Sequence, residues 1–175
     1  ILIQTVGAVA PSFGGINLED IAAPRCFDSE DALQDLGIPV FHDDQHGTAI
    51  AVLAGVMNAL LVTGRKIEDT RFVFAGAGAG GIASAKLLME QGATNVTLVD
   101  SVGIISRDRT GLTAVKSAML DTTNPDNLSG GIADAMRGAD VFIGLAAADT
   151  VSAQMVTSMA KDPIVFATAN PGPEI

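Results

Sequence analysis

Short runs rich in β-branched and aromatic residues alternate along the chain with longer stretches of helical pattern. The runs are Gly15 to Leu18, Val40 to His42, Arg71 to Ala75, Val96 to Val99, Val141 to Gly144 and Ile164 to Ala167. Helical patterns fall at Cys26 to Leu36, Thr48 to Val62, Gly81 to Gln91, Leu112 to Leu120, Ile132 to Arg137 and Ser152 to Met159. Strands that alternate with helices predict an α/β fold with a parallel sheet. The unbroken apolar run Phe72, Val73, Phe74 predicts strands covered on both faces, because a strand with one wet face would alternate. Ile1 to Val9 reads as the end of a helix, without the basic start or cleavage site of a signal peptide. A polar connection, Gly64 to Thr70, follows the apolar helical stretch. Residues from Arg71 onward read as one nucleotide-binding unit, and the part before Asp43 as the edge of another, truncated α/β domain.

Composition narrows the function classes. The 175 residues are 48% hydrophobic, with a mean hydropathy of +0.39, which supports a packed core and excludes disorder. Twenty acidic against ten basic side chains give a net charge of -10, which repels a phosphate backbone and argues against nucleic-acid binding. The longest apolar run, Ala49 to Val62, contains Gly55 and Asn58 and falls short of the ~18 residues of a membrane span, so no membrane partner is expected. The single cysteine, Cys26, excludes an internal disulfide and fits a reducing cytoplasm. There is no tryptophan and no tyrosine.

The segment Gly76-Ala77-Gly78-Ala79-Gly80-Gly81 carries the G-x-G-x-x-G spacing in Gly76, Gly78 and Gly81. The first glycine permits a tight turn, the second lets backbone approach a pyrophosphate, and the third allows close packing of helix on strand. Ala77 lies within the same loop. The motif follows an expected strand and opens an expected helix, whose free N–H groups and positive dipole end would face the phosphates. Asp100 ends the next strand, 24 residues after Gly76, near the offset of an acid that binds a ribose hydroxyl. Together these predict a Rossmann-type doubly wound sheet that binds NAD. A carboxylate there disfavours the 2′-phosphate of NADP, although Ser101 and Arg107 could accommodate one. The plainer reading is a packed strand-to-helix turn with Asp100 as a helix cap.

Two acidic pairs, Glu19-Asp20 and Asp43-Asp44, each follow a short strand. Carboxylates gathered at one crevice repel one another unless a cation offsets them, and Mg²⁺ or Mn²⁺ suits oxygen donors. Capping of the following helix by Asp43 and Asp44 explains the second pair equally well. His42 and His46 stand four residues apart, but imidazoles beside so many oxygens fit positioning better than zinc ligation.

The runs Phe13-Gly14-Gly15-Ile16-Asn17-Leu18-Glu19-Asp20-Ile21-Ala22-Ala23-Pro24-Arg25-Cys26-Phe27 and Ile38-Pro39-Val40-Phe41-His42-Asp43-Asp44-Gln45-His46-Gly47-Thr48-Ala49 resemble the bacterial malic enzymes. So do the glycine loop and Ala169-Asn170-Pro171-Gly172-Pro173-Glu174-Ile175. The resemblance implies oxidation of L-malate with NAD or NADP and its decarboxylation to pyruvate and CO₂, with Mg²⁺ or Mn²⁺. It implies Glu19, Asp20 and Asp44 as metal ligands, Asp43 beside the catalytic lysine, Asn170 as a substrate ligand, and a homo-oligomer in the full-length protein. Residues 1–43 would close the substrate and metal domain, and 44–175 would form the NAD(P)-binding domain. In the family the general acid is a tyrosine, which this chain lacks, and the base is a lysine in a motif that Lys66, Lys86, Lys116 and Lys161 do not match. The chain alone is therefore expected to be inactive. A non-catalytic NAD-binding module and a metal-independent amino-acid dehydrogenase remain the alternatives.

Overall fold

A computed structural model describes all 175 residues. The chain opens with α1 (Leu2–Val9), then β1 (Ile16–Leu18), α2 (Arg25–Asp31) and β2 (Val40–His42). β1 and β2 pair in parallel as a separate two-stranded sheet, with Leu18 opposite His42. A π-helical turn, Asp43–Gly47, leads into α3 (Thr48–Thr63). The remainder runs β3 (Arg71–Ala75), α4 (Ala79–Glu90), β4 (Asn95–Asp100), β5 (Gly103–Ile104), α5 (Ala114–Met119), α6 (Ile132–Met136), β6 (Val141–Gly144), α7 (Ala153–Thr157) and β7 (Ile164–Ala167).

Five strands form the main sheet in the order β5, β4, β3, β6, β7, parallel except for β5. The direction of winding reverses between β3 and β6, which is where such sheets open a ligand crevice. The apolar strands are sandwiched as their sequence predicts. Phe72 and Phe74 of β3 join a core with Val52, Val56 and Leu60 of α3 and Ile82 and Leu88 of α4. Val73 and Ala75 face the opposite side, packing with Ala135 and Met136 of α6 and Phe142 of β6.

Three departures have physical causes. β5 escapes the sequence pattern because it is two residues long and antiparallel; the Asp100 carboxylate accepts the N–H groups of Val102 and Gly103 and turns the chain back. The expected helix Cys26 to Leu36 divides into α2 and a 3₁₀ turn at Gln34–Leu36. The third concerns the apolar stretch that was expected to be too interrupted for a membrane span. Asp43–Thr63 forms one helical segment of 21 residues, long and apolar enough by length and composition to cross a membrane. Gly55 and Asn58 do not interrupt it: Gly55 packs beneath Phe166, and the Asn58 amide donates to the Ala54 carbonyl one turn back. The buried face of α3, carrying Ala49, Val52, Val56 and Leu60, accounts for part of that apolarity through core packing.

Candidate dinucleotide-binding site

The loop after β3 has the backbone its glycines allow. Gly76 sits at φ +116°, a conformation that side chains rarely adopt, and a β-carbon there would meet the Leu145 carbonyl at the end of β6. Gly78 is extended, faces open space, and precedes α4 without any side-chain cap, so the first-turn N–H groups of α4 remain available. Gly81 packs directly on the Gly76 carbonyl, where an added β-carbon would overlap it. These three positions bring backbone close on one side and leave it bare on the other. That is the shape a pyrophosphate needs.

In front of the loop lies a cavity of about 640 Å³, lined by Gly76, Ala77 and Gly78, by Asp100 at the end of β4, and by Ala146 and Ala147 after β6. Such a volume suits a small-molecule or cofactor site. Ala23 and Pro24, just before α2, and Phe27 within it line the cavity as well.

Asp100 is held more tightly than its place in the motif suggested. Arg109 grips it with two bonds, Nη1 to Oδ1 at 2.8 Å and Nη2 to Oδ2 at 3.2 Å. Lys116 Nζ adds a third at 2.7 Å to Oδ2. Burial alone would raise the Asp100 carboxyl, but the hydrogen bonds from Arg109 and Lys116 outweigh it and hold the group well below the usual carboxylate range. Asp100 caps no helix; it organises the β4–β5 turn. Of the groups expected to meet a 2′-phosphate, Ser101 lines the cavity. The Arg107 guanidinium is engaged elsewhere, on the carbonyls of Asn124 and Leu120. Arg109 and Lys116 were missed because they reach Asp100 only after β5 folds back.

This cage has a stability consequence. A carboxyl lowered on folding stabilises the protein above its unfolded value near pH 4, and that contribution is lost as the pH falls below it toward the folded value. Asp100→Asn should therefore cost about 2 kcal/mol at neutral pH, the scale of hydrogen bonds to a charged group. Thermal unfolding across pH should show the gap between wild type and variant constant above about pH 5 and closing below pH 4. A gap that widened in acid would contradict the assignment.

The carboxylates meet at the neighbouring sheet edge. Because β1 and β2 pair in register, Glu19-Asp20 and Asp43-Asp44 follow adjacent strand ends. The Asp20 N–H donates to Asp44 Oδ2 at 2.8 Å, with Asp20 in the left-handed region at φ 58°. Neither acid of the second pair makes a side-chain cap on α3 or on the π-helical turn. The side chains of Glu19, Asp20 and Asp44 do not converge as a ligand set: no three His, Cys, Asp or Glu groups stand close enough to hold an ion. His42 is fully buried, with both ring nitrogens unpartnered and Nδ1 4.0 Å from Asp44 Oδ2. His46 turns instead to Glu30, Nε2 to Oε1 at 2.7 Å, and Gln45 donates to the other Glu30 oxygen at 2.9 Å. The two histidines thus serve different partners. Glu30, which the sequence did not single out, anchors the turn that carries Asp43 and Asp44.

Gly80, in the first turn of α4, packs against the Asp44 carbonyl and Thr48, with a β-carbon position 3.0 Å from each. The carboxylate edge therefore abuts the helix that opens the dinucleotide loop. Asn170 is exposed beyond the end of β7 and does not line the 640 Å³ cavity.

Comparison with known proteins agrees with this geometry. The family described as "Malic enzyme, NAD binding domain" matches residues 45–175. An NAD-dependent malic enzyme of Geobacillus stearothermophilus is 53% identical over 175 residues, covering 99% of this chain and 37% of the relative. An NADP-dependent malic enzyme of Halomonas elongata is 47% identical over 176 residues, covering 99% of this chain and 41% of its own length. The crystal structure of an NAD-dependent malic enzyme from Thermotoga maritima superposes with a TM-score of 0.96 at 44% identity, over 99% of this chain and 47% of that one. The chain thus spans less than half the length of these relatives. With a matching domain model, high identity and a superposable fold, the chain belongs to the malic enzyme family, with its NAD binding domain in residues 45–175.

Proposed function

We propose that the polypeptide carrying these residues oxidises L-malate with NAD or NADP and decarboxylates it to pyruvate and CO₂, aided by Mg²⁺ or Mn²⁺. The observation that carries the reading is the contact of Gly80 with Asp44, which sets the carboxylate edge against the first turn of the dinucleotide helix. Substrate and cofactor must meet for hydride transfer, and this packing supports the reading because it sets the strand end that carries Asp44 against the helix that opens the glycine loop.

The residues have distinct parts in the reading. The bare backbone of Gly76 to Gly81 and the first turn of α4 bind the pyrophosphate. Glu19, Asp20 and Asp44 would hold the cation once their side chains turn toward one another: their oxygens are the hard donors it prefers, and the Asp20 N–H on the Asp44 carboxylate already sets the backbone of one pair against the side chain of the other. The chemistry such an ion supplies is stabilisation of negative charge on the substrate oxygens. Asp43 supports the lysine that moves the proton, and Asn170 donates a hydrogen bond to substrate.

Cofactor choice follows from the charge around Asp100. The preference for NAD assumed a carboxylate free to repel a 2′-phosphate. With Arg109 and Lys116 both on Asp100, one negative charge faces two positive ones, so the cluster has no net repulsion for that phosphate. The reading therefore includes both NAD and NADP, and the relatives named above include users of each.

The test is malate-dependent formation of NADH and NADPH by the full-length protein, abolished by chelation and restored by Mn²⁺. Turnover that ignores the chelator would favour a metal-independent dehydrogenase. Dinucleotide binding without any malate turnover would leave a non-catalytic module.

A further inference from the structure

Glu174 is fully buried, and it takes part in no ion pair. Its carboxylate instead accepts two backbone N–H groups, from Ala146 to Oε1 and from Ala169 to Oε2, each at 3.1 Å. Its own carbonyl accepts from Val151 at 2.8 Å, and that of Pro173 accepts from Asp149 at 3.2 Å. The carboxylate occupies the space in which a β-carbon on Gly144 would lie. Burying a carboxylate away from any cation is costly, and two backbone donors offset only part of it.

The two amides belong to different halves of the site. Ala146 lines the dinucleotide cavity, together with Ala147 and Thr150 of the same loop after β6. Ala169 immediately precedes Asn170, on the segment after β7. We propose that Glu174 is a positioning residue whose carboxylate clamps the cofactor-lining loop after β6 to the Asn170 segment after β7, fixing the separation of nicotinamide and substrate. This inference rests on the malate reading above. Its physical basis is the steep dependence of reaction rate on the approach of the reacting atoms, where a shift near 1 Å costs about a hundredfold. A clamp tied to both segments holds that approach without touching either reactant.

Glu174→Gln keeps the volume but presents an amide group, which cannot accept, to one of the two N–H donors. Gly144→Ala leaves Glu174 intact and displaces its carboxylate with a methyl group. In the full-length protein both variants should lower kcat by about tenfold to a hundredfold. NADH affinity should stay within about threefold, because the pyrophosphate loop is unchanged. Hydrogen exchange at the Ala146 and Ala169 amides should be at least about tenfold faster in Glu174→Gln than in wild type. The proposal is overturned if kcat stays within about threefold in both variants, if kcat falls only in proportion to NADH-binding sites lost, or if amide exchange is unchanged. Failure of both variants to give NADH-binding protein would assign Glu174 to folding alone and overturn it too. Wild-type malate turnover is the separate control. Its absence would overturn the malate reading, while the exchange measurement still decides the clamp.

Discussion

Gly81→Ala is expected to weaken NADH binding by at least about a hundredfold, equivalent to about 2.7 kcal/mol. The added methyl group would overlap the Gly76 carbonyl, and both partners are backbone. No rotamer change relieves such a clash. Either α4 moves off the end of β3 or the Gly76 turn opens, and forced overpacking of this kind typically costs 1–3 kcal/mol or more. Each response displaces the first-turn N–H groups that are to meet the pyrophosphate. The variant should therefore lose affinity and thermal stability together. Gly78→Ala separates the two effects, because Gly78 has an ordinary negative φ and nothing within 4 Å of its β-carbon position. It should keep its melting temperature and lose only affinity, as its methyl group enters the space meant for the cofactor. Fluorescence titration with NADH and thermal unfolding read both quantities, and wild-type affinity in Gly81→Ala would sink the assignment of the loop.

The isolated 175-residue chain is expected to bind dinucleotide yet make no measurable pyruvate. It contains no tyrosine, the residue that the family resemblance makes the general acid, and none of its lysines stands in the motif of the general base. Each proton-transfer group contributes about 10²- to 10⁴-fold, so the absence of both should leave turnover at least about 10⁴-fold below the full-length protein. Calorimetric titration with NADH should still show binding, since the glycine loop and the cavity before it belong wholly to this chain. Pyruvate formed by the isolated chain would show that acid and base had been misplaced.

The glycine loop and the strands behind it were legible in the sequence because their cause is local. Gly76, Gly78 and Gly81 act through their own backbone, and Phe72 to Phe74 declare a doubly covered strand by being apolar without interruption. The two carboxylate pairs were legible as candidates, each standing at a strand end. Their gathering at one crevice was legible too, from their places at strand ends; the particular contact, the Asp20 N–H on the Asp44 carboxylate at 2.8 Å, depended on the register of β1 with β2, which no spacing reveals. Arg109 and Lys116 were hidden for a similar reason: the return of β5 brings them to Asp100 across 9 and 16 residues. Glu174 lay within a segment that had already been noticed, but its weight comes from a buried contact with a loop 28 residues earlier. Chemistry carried by backbone near a glycine shows in the sequence, and chemistry carried by side chains across a sheet end does not.

The two margins of the main sheet are unequal. At one margin β5 is two residues long, and its Ile104 N–H already donates to Gly130 at 2.9 Å. At the other, the four residues of β7 pair with β6 alone. An unpaired strand margin is a template for another strand. A further strand would therefore find four residues of backbone along β7 and only two along β5, one of whose N–H groups is already engaged.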